Sequence, residues 1–196
     1  MKKTNEKIDF DLSQITTPFP NLGKIRFPLF GQIVLVTSIN REGIPNVAPE
    51  SWISTFSSNP PIVGFGCNVN HNTAKNILST GEFVVNIPGE EIAQNVWKIL
   101  ELDKDDSKKI EKAGLTPIKS DKISTPRIAE CKAHLECSLD WTKKYQQEIV
   151  IFGKVLLAAI DKKAMEKDLD ERYKYFKLLA YLDEKTYGVI NAAKKV

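Results

Sequence analysis

Apolar and polar residues alternate most strictly between residues 128 and 141. One set of alternate positions is apolar: Ala129, Cys131, Ala133, Leu135, Cys137, Leu139 and Trp141. The positions between them are charged or polar. Because successive side chains of a strand point to opposite sides, this period of two predicts one long, half-buried strand. The apolar run 149–160 predicts its partner, buried on both faces, with a bulge or bend at Gly153.

Shorter apolar runs, separated by turn-forming residues, predict further strands. In chain order these are 33–38, a returning strand 45–56 after a turn at 40–43, then 62–67, 83–87 and a short last strand 187–190. Pro49 has no backbone N–H to donate to a neighbouring strand. The returning strand is therefore expected at a sheet edge, or with a bulge.

Helical periodicity is confined to the connections between these strands. It predicts helices over 70–81, 90–102 and 106–113, while 161–182 is helical or irregular. The expected buried residues are Ala74, Ile77 and Leu78 in the first helix, and Ile92, Val96, Ile99 and Leu100 in the second. Gly81 suits the left-handed position that ends a helix. The charged run 101–112 predicts a solvated helical face.

Strands joined by short helices indicate an α+β protein built on an antiparallel sheet. Long strands with glycines at bends favour a closed or split β-barrel over a flat sheet. Residues 1–30 contain Pro18, Pro20 and Pro28 and little periodicity, so we expect an N-terminal arm followed by one domain over 31–196.

Composition argues against several classes of partner. The net charge is +3, with 28 basic and 25 acidic residues well mixed, so no nucleic-acid partner is expected. The longest apolar run is shorter than the roughly 20 residues that span a bilayer, so no membrane partner is expected. The first residues do not resemble a signal peptide, and the three cysteines show neither disulfide nor metal-ligand spacing. We therefore expect a cytoplasmic protein without a metal.

Small hydrogen-bonding side chains are concentrated where the 70–81 helix begins. They are Asn70, His71, Asn72, Thr73 and Asn76, with Lys75 among them. Free backbone N–H groups and the positive end of the helix dipole favour a phosphate at such a place. A cation in the first helical turn opposes the dipole, so Lys75 also favours an anionic ligand. The alternative is an ordinary helix cap, with His71 an exposed loop residue.

Five sequence motifs follow one another in an order that resembles the flavin reductase-like proteins. They are Asn46-Val47-Ala48-Pro49-x-Ser51-Trp52, Asn59-Pro60-Pro61, Thr73-x-Lys75-Asn76-Ile77, Thr80-Gly81-Glu82-Phe83-Val84-Val85-Asn86 and Lys112-Ala113-Gly114-Leu115-Thr116. The resemblance covers about residues 30–160. It implies a split β-barrel that carries FMN and forms a homodimer, with FMN at or near the subunit interface.

The resemblance also implies roles for particular residues. Thr73 and Lys75 would hold the FMN phosphate, segment 46–52 would follow the ring and the ribityl chain, and Cys67 and Asn68 would face the ring. The full set of expected cofactor-binding residues is Asn46, Ala48, Pro49, Glu50, Ser51, Trp52, Cys67, Asn68, His71, Asn72, Thr73, Lys75 and Asn76. Electrons would pass from NAD(P)H through FMN to free flavin or another acceptor. Hydride chemistry belongs to the flavin, so no catalytic side chain is assigned.

Two positions depart from the family pattern. Glu148 stands where many of these reductases have a histidine near the nicotinamide, and Glu50 stands where an apolar residue is expected. A carboxylate repels an anionic dinucleotide. An alternative is therefore a non-enzymatic electron carrier that holds FMN without oxidising NAD(P)H. A third possibility is a barrel that binds haem or pyridoxal phosphate, or an empty structural dimer.

Overall fold

The computed structural model describes residues 21–22, 25–26, 31–183 and 185–194. The predicted arm over 1–30 lies outside the described residues except for two short strands. The division into an arm and a domain therefore stays a prediction.

Fourteen strands and five α-helices make up the described part of the chain. The strands are β1 Asn21–Leu22, β2 Ile25–Arg26, β3 Gly31–Gln32, β4 Val34–Ile39, β5 Pro45–Glu50, β6 Ile53–Ser58, β7 Pro61–Asn68, β8 Glu82–Ile87, β9 Pro117–Ile118, β10 Arg127–Ile128, β11 Ala133–Tyr145, β12 Glu148–Ile160, β13 Leu178–Asp183 and β14 Thr186–Ile190. The helices are α1 Asn72–Thr80, α2 Ala93–Glu101, α3 Lys109–Lys112, α4 Lys162–Met165 and α5 Leu169–Phe176, with a 3-10 turn at Glu90–Ile92 before α2.

Seven strands form one antiparallel sheet in the order β5-β4-β8-β11-β12-β7-β6. The two edge strands, β5 and β6, are consecutive in the chain. The sheet therefore curls until its edges approach each other without pairing. The link between them is tied to β7, where Gly66 N donates to Trp52 O at 3.0 Å. This is the predicted α+β antiparallel split β-barrel, and Pro49 lies on an edge strand as expected.

Two apolar cores hold the barrel together. Inside the barrel, Phe65, Phe83 and Ile151 pack with Ala74 and Ile77 of α1, which closes one end. A second core lies between β4, β5 and the helices α2 and α3. Each fully buried Phe or Ile contributes roughly 1.5–3 kcal/mol of hydrophobic stabilisation. These cores fix β5 and the start of α1 relative to each other.

The structure corrects three of the strand predictions. The long strand predicted over 128–141 is β11, which begins at Ala133 and ends at Tyr145, because residues 129–132 form a turn after β10. The returning strand 45–56 is two strands, because the chain leaves β4 at Ser51 and β6 pairs with β7 instead. The segment 161–182 contains α4 and α5 as expected, but residues from 178 onward form β13, which pairs with β14 and β3.

The polar face of β11 is not solvated as its alternation predicts. Glu136 is fully buried and His134 is 9% exposed. Arg127 forms an ion pair with Glu136, and the backbone N–H groups of Asp121 and Lys122 donate to the same carboxylate. The segment between β9 and β10 thus covers this face. β12 is buried on both faces only as far as Gly153. The pairing register shifts beside this residue, but the unpaired residue is Asp140 of β11, so the bulge predicted at Gly153 lies on the partner strand.

The helix predictions hold for position better than for burial. α1 ends at Gly81, whose φ of 77° is left-handed as expected. Ala74 and Ile77 are buried, but Leu78 is 50% exposed and Leu100 of α2 is 60% exposed.

Candidate functional site

Three neighbouring cavities follow the edge strand β5. The β5–β7 cavity, of about 410 Å³, lies between the end of β5 and the end of β7. The helix cavity, of about 540 Å³, lies between β5, the start of α1 and the segment linking α2 to α3. The asparagine cavity, of about 230 Å³, continues beyond Asn46 and Asn72. The split in the barrel therefore provides one continuous groove.

The start of α1 forms one wall of the helix cavity. No side chain caps this helix, and its first turn holds no acidic residue. The first backbone N–H groups consequently lack the partners that a capping side chain supplies. Thr73 is buried there, and its hydroxyl accepts a hydrogen bond of 3.2 Å from Asn46 Nδ2. This wall presents N–H donors, a hydroxyl and the positive end of a helix dipole.

Lys109 also lines this cavity. Its side chain is 9% exposed, and among the described residues it forms no hydrogen bond or ion pair. Burial lowers the pKa of Lys109, and Asp103, Asp105 and Asp106 counter that effect only in part. A buried ammonium without a direct partner is costly, and an anion in the cavity would offset that cost. The exposed Lys104 lines the cavity beside it.

The β5–β7 cavity has a different chemistry. Its walls include the flat ring of Trp52, which is 60% exposed, together with Gly66 and Cys67. Gly66 lies directly beneath Trp52, so that a Cβ added there would lie 3.4 Å from the indole Cε3. Burial, with Glu50 and Glu148 nearby, raises the pKa of Cys67 to about 12. Cys67 is therefore a neutral thiol, packed as part of the wall.

Two carboxyl groups face this second cavity. Glu50 ends β5, and Glu148 begins β12 opposite Asn68. Asn68 Nδ2 donates to Glu148 Oε1 at 3.4 Å, whereas the Glu50 carboxyl has no hydrogen-bonding partner within the described part of the chain. Burial, and then the charge of Glu148, raise the pKa of Glu50 to about 8.

The structure brings together all but one of the residues assigned from the sequence. Asn46, Ala48, Pro49, Glu50, Asn68, His71, Asn72 and Thr73 line the helix cavity, Ser51, Trp52 and Cys67 line the β5–β7 cavity, and Asn76 lines the asparagine cavity. Lys75 is exposed and is not among the residues that line these three cavities. His71 is exposed, as in its alternative interpretation, yet it lines two of them.

Sequence reasoning missed the two lysines of the helix cavity. The run 101–112 was expected to be a solvated face, but Lys109 and Ile110 are buried. A signal was present, because Lys109 precedes the buried Ala113 by four residues and so shares its side of a helix. The buried residues of this short helix pack near β5, which a charge pattern alone does not reveal.

Titratable groups and helices outside these cavities bear on two other kinds of function, metal binding and membrane insertion. No group of three His, Cys, Asp or Glu side chains among the described residues is placed to hold a metal ion. His134 is buried against Asn86, with 3.0 Å between Nδ1 and the amide oxygen, and burial lowers its pKa to about 4. Within the same residues, no helix combines the length and apolar character needed to cross a bilayer.

The fold and the site together define a class of protein, the split β-barrels in which an edge strand and an uncapped helix start line adjoining cavities. Residues 28–188 match the flavin reductase like domain, so the chain belongs to that family of flavin-binding oxidoreductases. A protein of Aquifex aeolicus is 32% identical over 157 residues, which cover 78% of this chain and 80% of that protein.

Solved structures share the whole fold. Nitrilotriacetate monooxygenase component B from Bacillus cereus superimposes with a TM-score of 0.83 at 22% identity, covering 98% of this chain and 100% of that one. An FMN-binding domain of a flavin reductases-like enzyme from Shewanella baltica gives a TM-score of 0.70 at 19% identity, covering 85% of this chain and 89% of that one. At these identities the likeness concerns the fold.

Proposed function

We propose that this protein is an FMN-binding oxidoreductase that passes electrons from NAD(P)H through FMN to free flavin or another acceptor. The observation that carries the proposal is that the buried Lys109 and the uncapped start of α1 line the same cavity. Donor groups and a cation around one cavity suit a phosphate dianion. The chain belongs to a flavin-binding family, and the adjoining cavity lies against Trp52; both support a flavin as the molecule that carries this phosphate.

The residues present fit FMN part by part. Thr73, the first N–H groups of α1 and Lys109 would hold the phosphate, with Lys104 adding positive charge at the rim. Segment 46–50 would follow the ribityl chain, and Trp52, Cys67 and Asn68 would contact the ring. When bound, the flavin accepts a hydride and supplies the redox chemistry. The chain's own part is to bind, to orient the ring against β5 and β7, and to limit the access of water.

The visible spectrum of the full-length protein tests cofactor binding. We expect a flavin absorption band in the purified protein, or its appearance as bound FMN when the protein is titrated. Rapid bleaching of that band after mixing with NADH or NADPH in a stopped-flow instrument would support the reductase function. A protein that carries no flavin as isolated and also binds no added FMN would refute the proposal.

The second candidate is an electron carrier that holds FMN without oxidising NAD(P)H. Glu148 favours it, because this carboxyl lines the cavity where the ring would lie and opposes an anionic dinucleotide. The same stopped-flow experiment decides between the two. A flavin band that NADH and NADPH leave intact, while dithionite bleaches it, would select the carrier.

We also propose a homodimer, as the family resemblance implies. An apolar face on the outside of the sheet supports a second copy as its occupant. Trp141 stacks on Phe152 with 3.8 Å between ring centroids, and Phe56 packs edge-on against Phe152, while Trp141 and Phe56 remain 50% and 58% exposed. Exposed aromatic groups of this size are typical of interfaces. Light scattering behind a sizing column should give twice the mass of one chain, and a monomer would refute this.

The setting and the other partners remain parts of the proposal. All three cysteines are buried and free, which fits a reducing, cytoplasmic compartment. Neither nucleic acid nor a membrane is proposed as a partner.

A further inference from the structure

We propose that Glu50 is the proton donor of this site, delivering its carboxyl proton to the oxygen of a neutral carbonyl-type electron acceptor, such as a quinone, as that acceptor is reduced. The inference rests on the proposed function, because electrons must reach the acceptor from NAD(P)H by way of the flavin. It goes further by assigning a chemical role to a side chain and a class to the acceptor.

The first support is the position of the two carboxyl groups. Glu50 and Glu148 enter the β5–β7 cavity from different strands, and none of the nine residues lining it is a lysine or an arginine. Glu148 is exposed at the rim and is held by Asn68, whereas the more buried Glu50 has no hydrogen-bonding partner among the described residues. Two carboxylates in one cavity without a cation cannot both ionise cheaply, so the more buried one keeps its proton.

The other groups near Glu50 do not remove this proton. Val34, the residue of β4 that pairs with Glu50, is apolar. Cys67 of β7 stays a neutral thiol, because its own pKa is raised to about 12. His71, before α1, lines the same cavity, and Lys104 and Lys109 line the helix cavity that Glu50 also borders. The pKa of Glu50 is nonetheless raised to about 8, first by burial and then by the charge of Glu148.

The chemistry balances with the groups named. Reduction of a quinone to a hydroquinone takes two electrons and two protons. NAD(P)H supplies a hydride, which is two electrons and one proton, and becomes NAD(P)⁺. Glu50 supplies the second proton by breaking its own O–H bond as a new O–H bond forms on the quinone oxygen. The resulting carboxylate regains a proton from solvent. A neutral acceptor fits because two carboxyl groups disfavour an anionic one.

Infrared difference spectroscopy of the full-length protein tests the protonation state directly. We expect a C=O band of a protonated carboxyl at pH 7 that disappears near pH 8 and is absent in Glu50→Gln. Glu148→Gln should move the midpoint to lower pH, since it removes a charge that favours the proton. Glu42→Gln, an exposed carboxyl on the β4–β5 turn, should leave it unchanged. Absence of a band that depends on Glu50 would overturn the proposal.

Two acceptors separate proton donation from a general loss of function. In the FMN-loaded protein with NADH, Glu50→Gln should slow the reduction of 1,4-naphthoquinone on the order of 10²-fold. With FMN saturating, reduction of ferricyanide, which takes an electron without a proton, should slow far less. Equal losses with both acceptors would show a structural role and overturn the inference. Failure of the wild-type protein to bind FMN would instead refute the proposed function. The infrared titration would still report on the protonation of Glu50.

Discussion

Replacing Lys109 by methionine tests whether this residue binds the phosphate of FMN rather than its ring. The ammonium of Lys109 is buried beside the helix cavity with no direct partner among the described residues, so its expected partner is the phosphate. A hydrogen bond between charged groups contributes about 1.5–3 kcal/mol. Since each 1.4 kcal/mol is a factor of ten, Lys109→Met should weaken FMN binding roughly 10- to 150-fold. Riboflavin lacks the phosphate, so its affinity should be unchanged.

The same substitution should stabilise the flavin-free protein. Burial lowers the pKa of Lys109, which means that folding disfavours its charged form. The resulting loss of stability is present below the lowered folded pKa and is relieved as the pH rises toward the unfolded value of 10.5. Methionine fills a similar volume without a charge. The variant should therefore unfold at a higher temperature than the wild type at pH 7, and the difference should shrink as the medium becomes more alkaline.

Fluorescence titrations with FMN and riboflavin, together with thermal unfolding of the flavin-free protein, measure both effects. Lys108→Met is the matched control, because Lys108 is the preceding residue and is exposed. It should alter neither quantity. Equal weakening of FMN and riboflavin by Lys109→Met would refute the assignment of the phosphate, and so would unchanged FMN binding.

Three further predictions concern stability. Folding raises the pKa of Glu50 from 4.5 to about 8. The wild type should therefore lose stability relative to Glu50→Gln as the pH rises through that range. A difference in melting temperature between the two proteins that is the same at pH 5 and pH 9 would contradict this. Arg127→Met leaves the fully buried Glu136 without its ion-pair partner and should lower the free energy of unfolding in urea by about 3–5 kcal/mol. Asp121→Asn removes the exposed partner of Arg127 and should lower it by less than about 1 kcal/mol. Similar losses in the two variants would refute the distinction. Gly153→Ala places a Cβ against Cζ and Cε1 of the buried Phe83 ring, closer than van der Waals contact, and should cost about 1–3 kcal/mol. An unchanged urea midpoint would count against that packing.

Local patterns were sufficient for much of the fold. The alternation around residue 135 predicted β11, and Gly81 predicted the end of α1, because strand and helix periods and left-handed glycine conformations are properties of a few neighbouring residues. The order of the motifs led to the split barrel. Burial on the polar face of β11 was not predictable in this way. It depends on the segment that brings Arg127 to Glu136, and nothing within the strand encodes that segment's path.

The residues of the candidate site were likewise predictable from the sequence only in part. The sequence by itself determined that hydrogen-bonding residues gather at the start of α1 and along β5, since these residues are close in the chain. Only the tertiary structure decided that Lys109, rather than Lys75, lines the cavity beside them, and that Glu50 and Glu148 share another. Lys109 lies 36 positions after Thr73 in the chain, and Glu148 lies 98 positions after Glu50. The curling of one sheet brings Glu148 to the cavity of Glu50, and the packing of α3 near β5 brings Lys109 to the cavity of Thr73. The electrostatic environment that sets their protonation exists only in the folded structure.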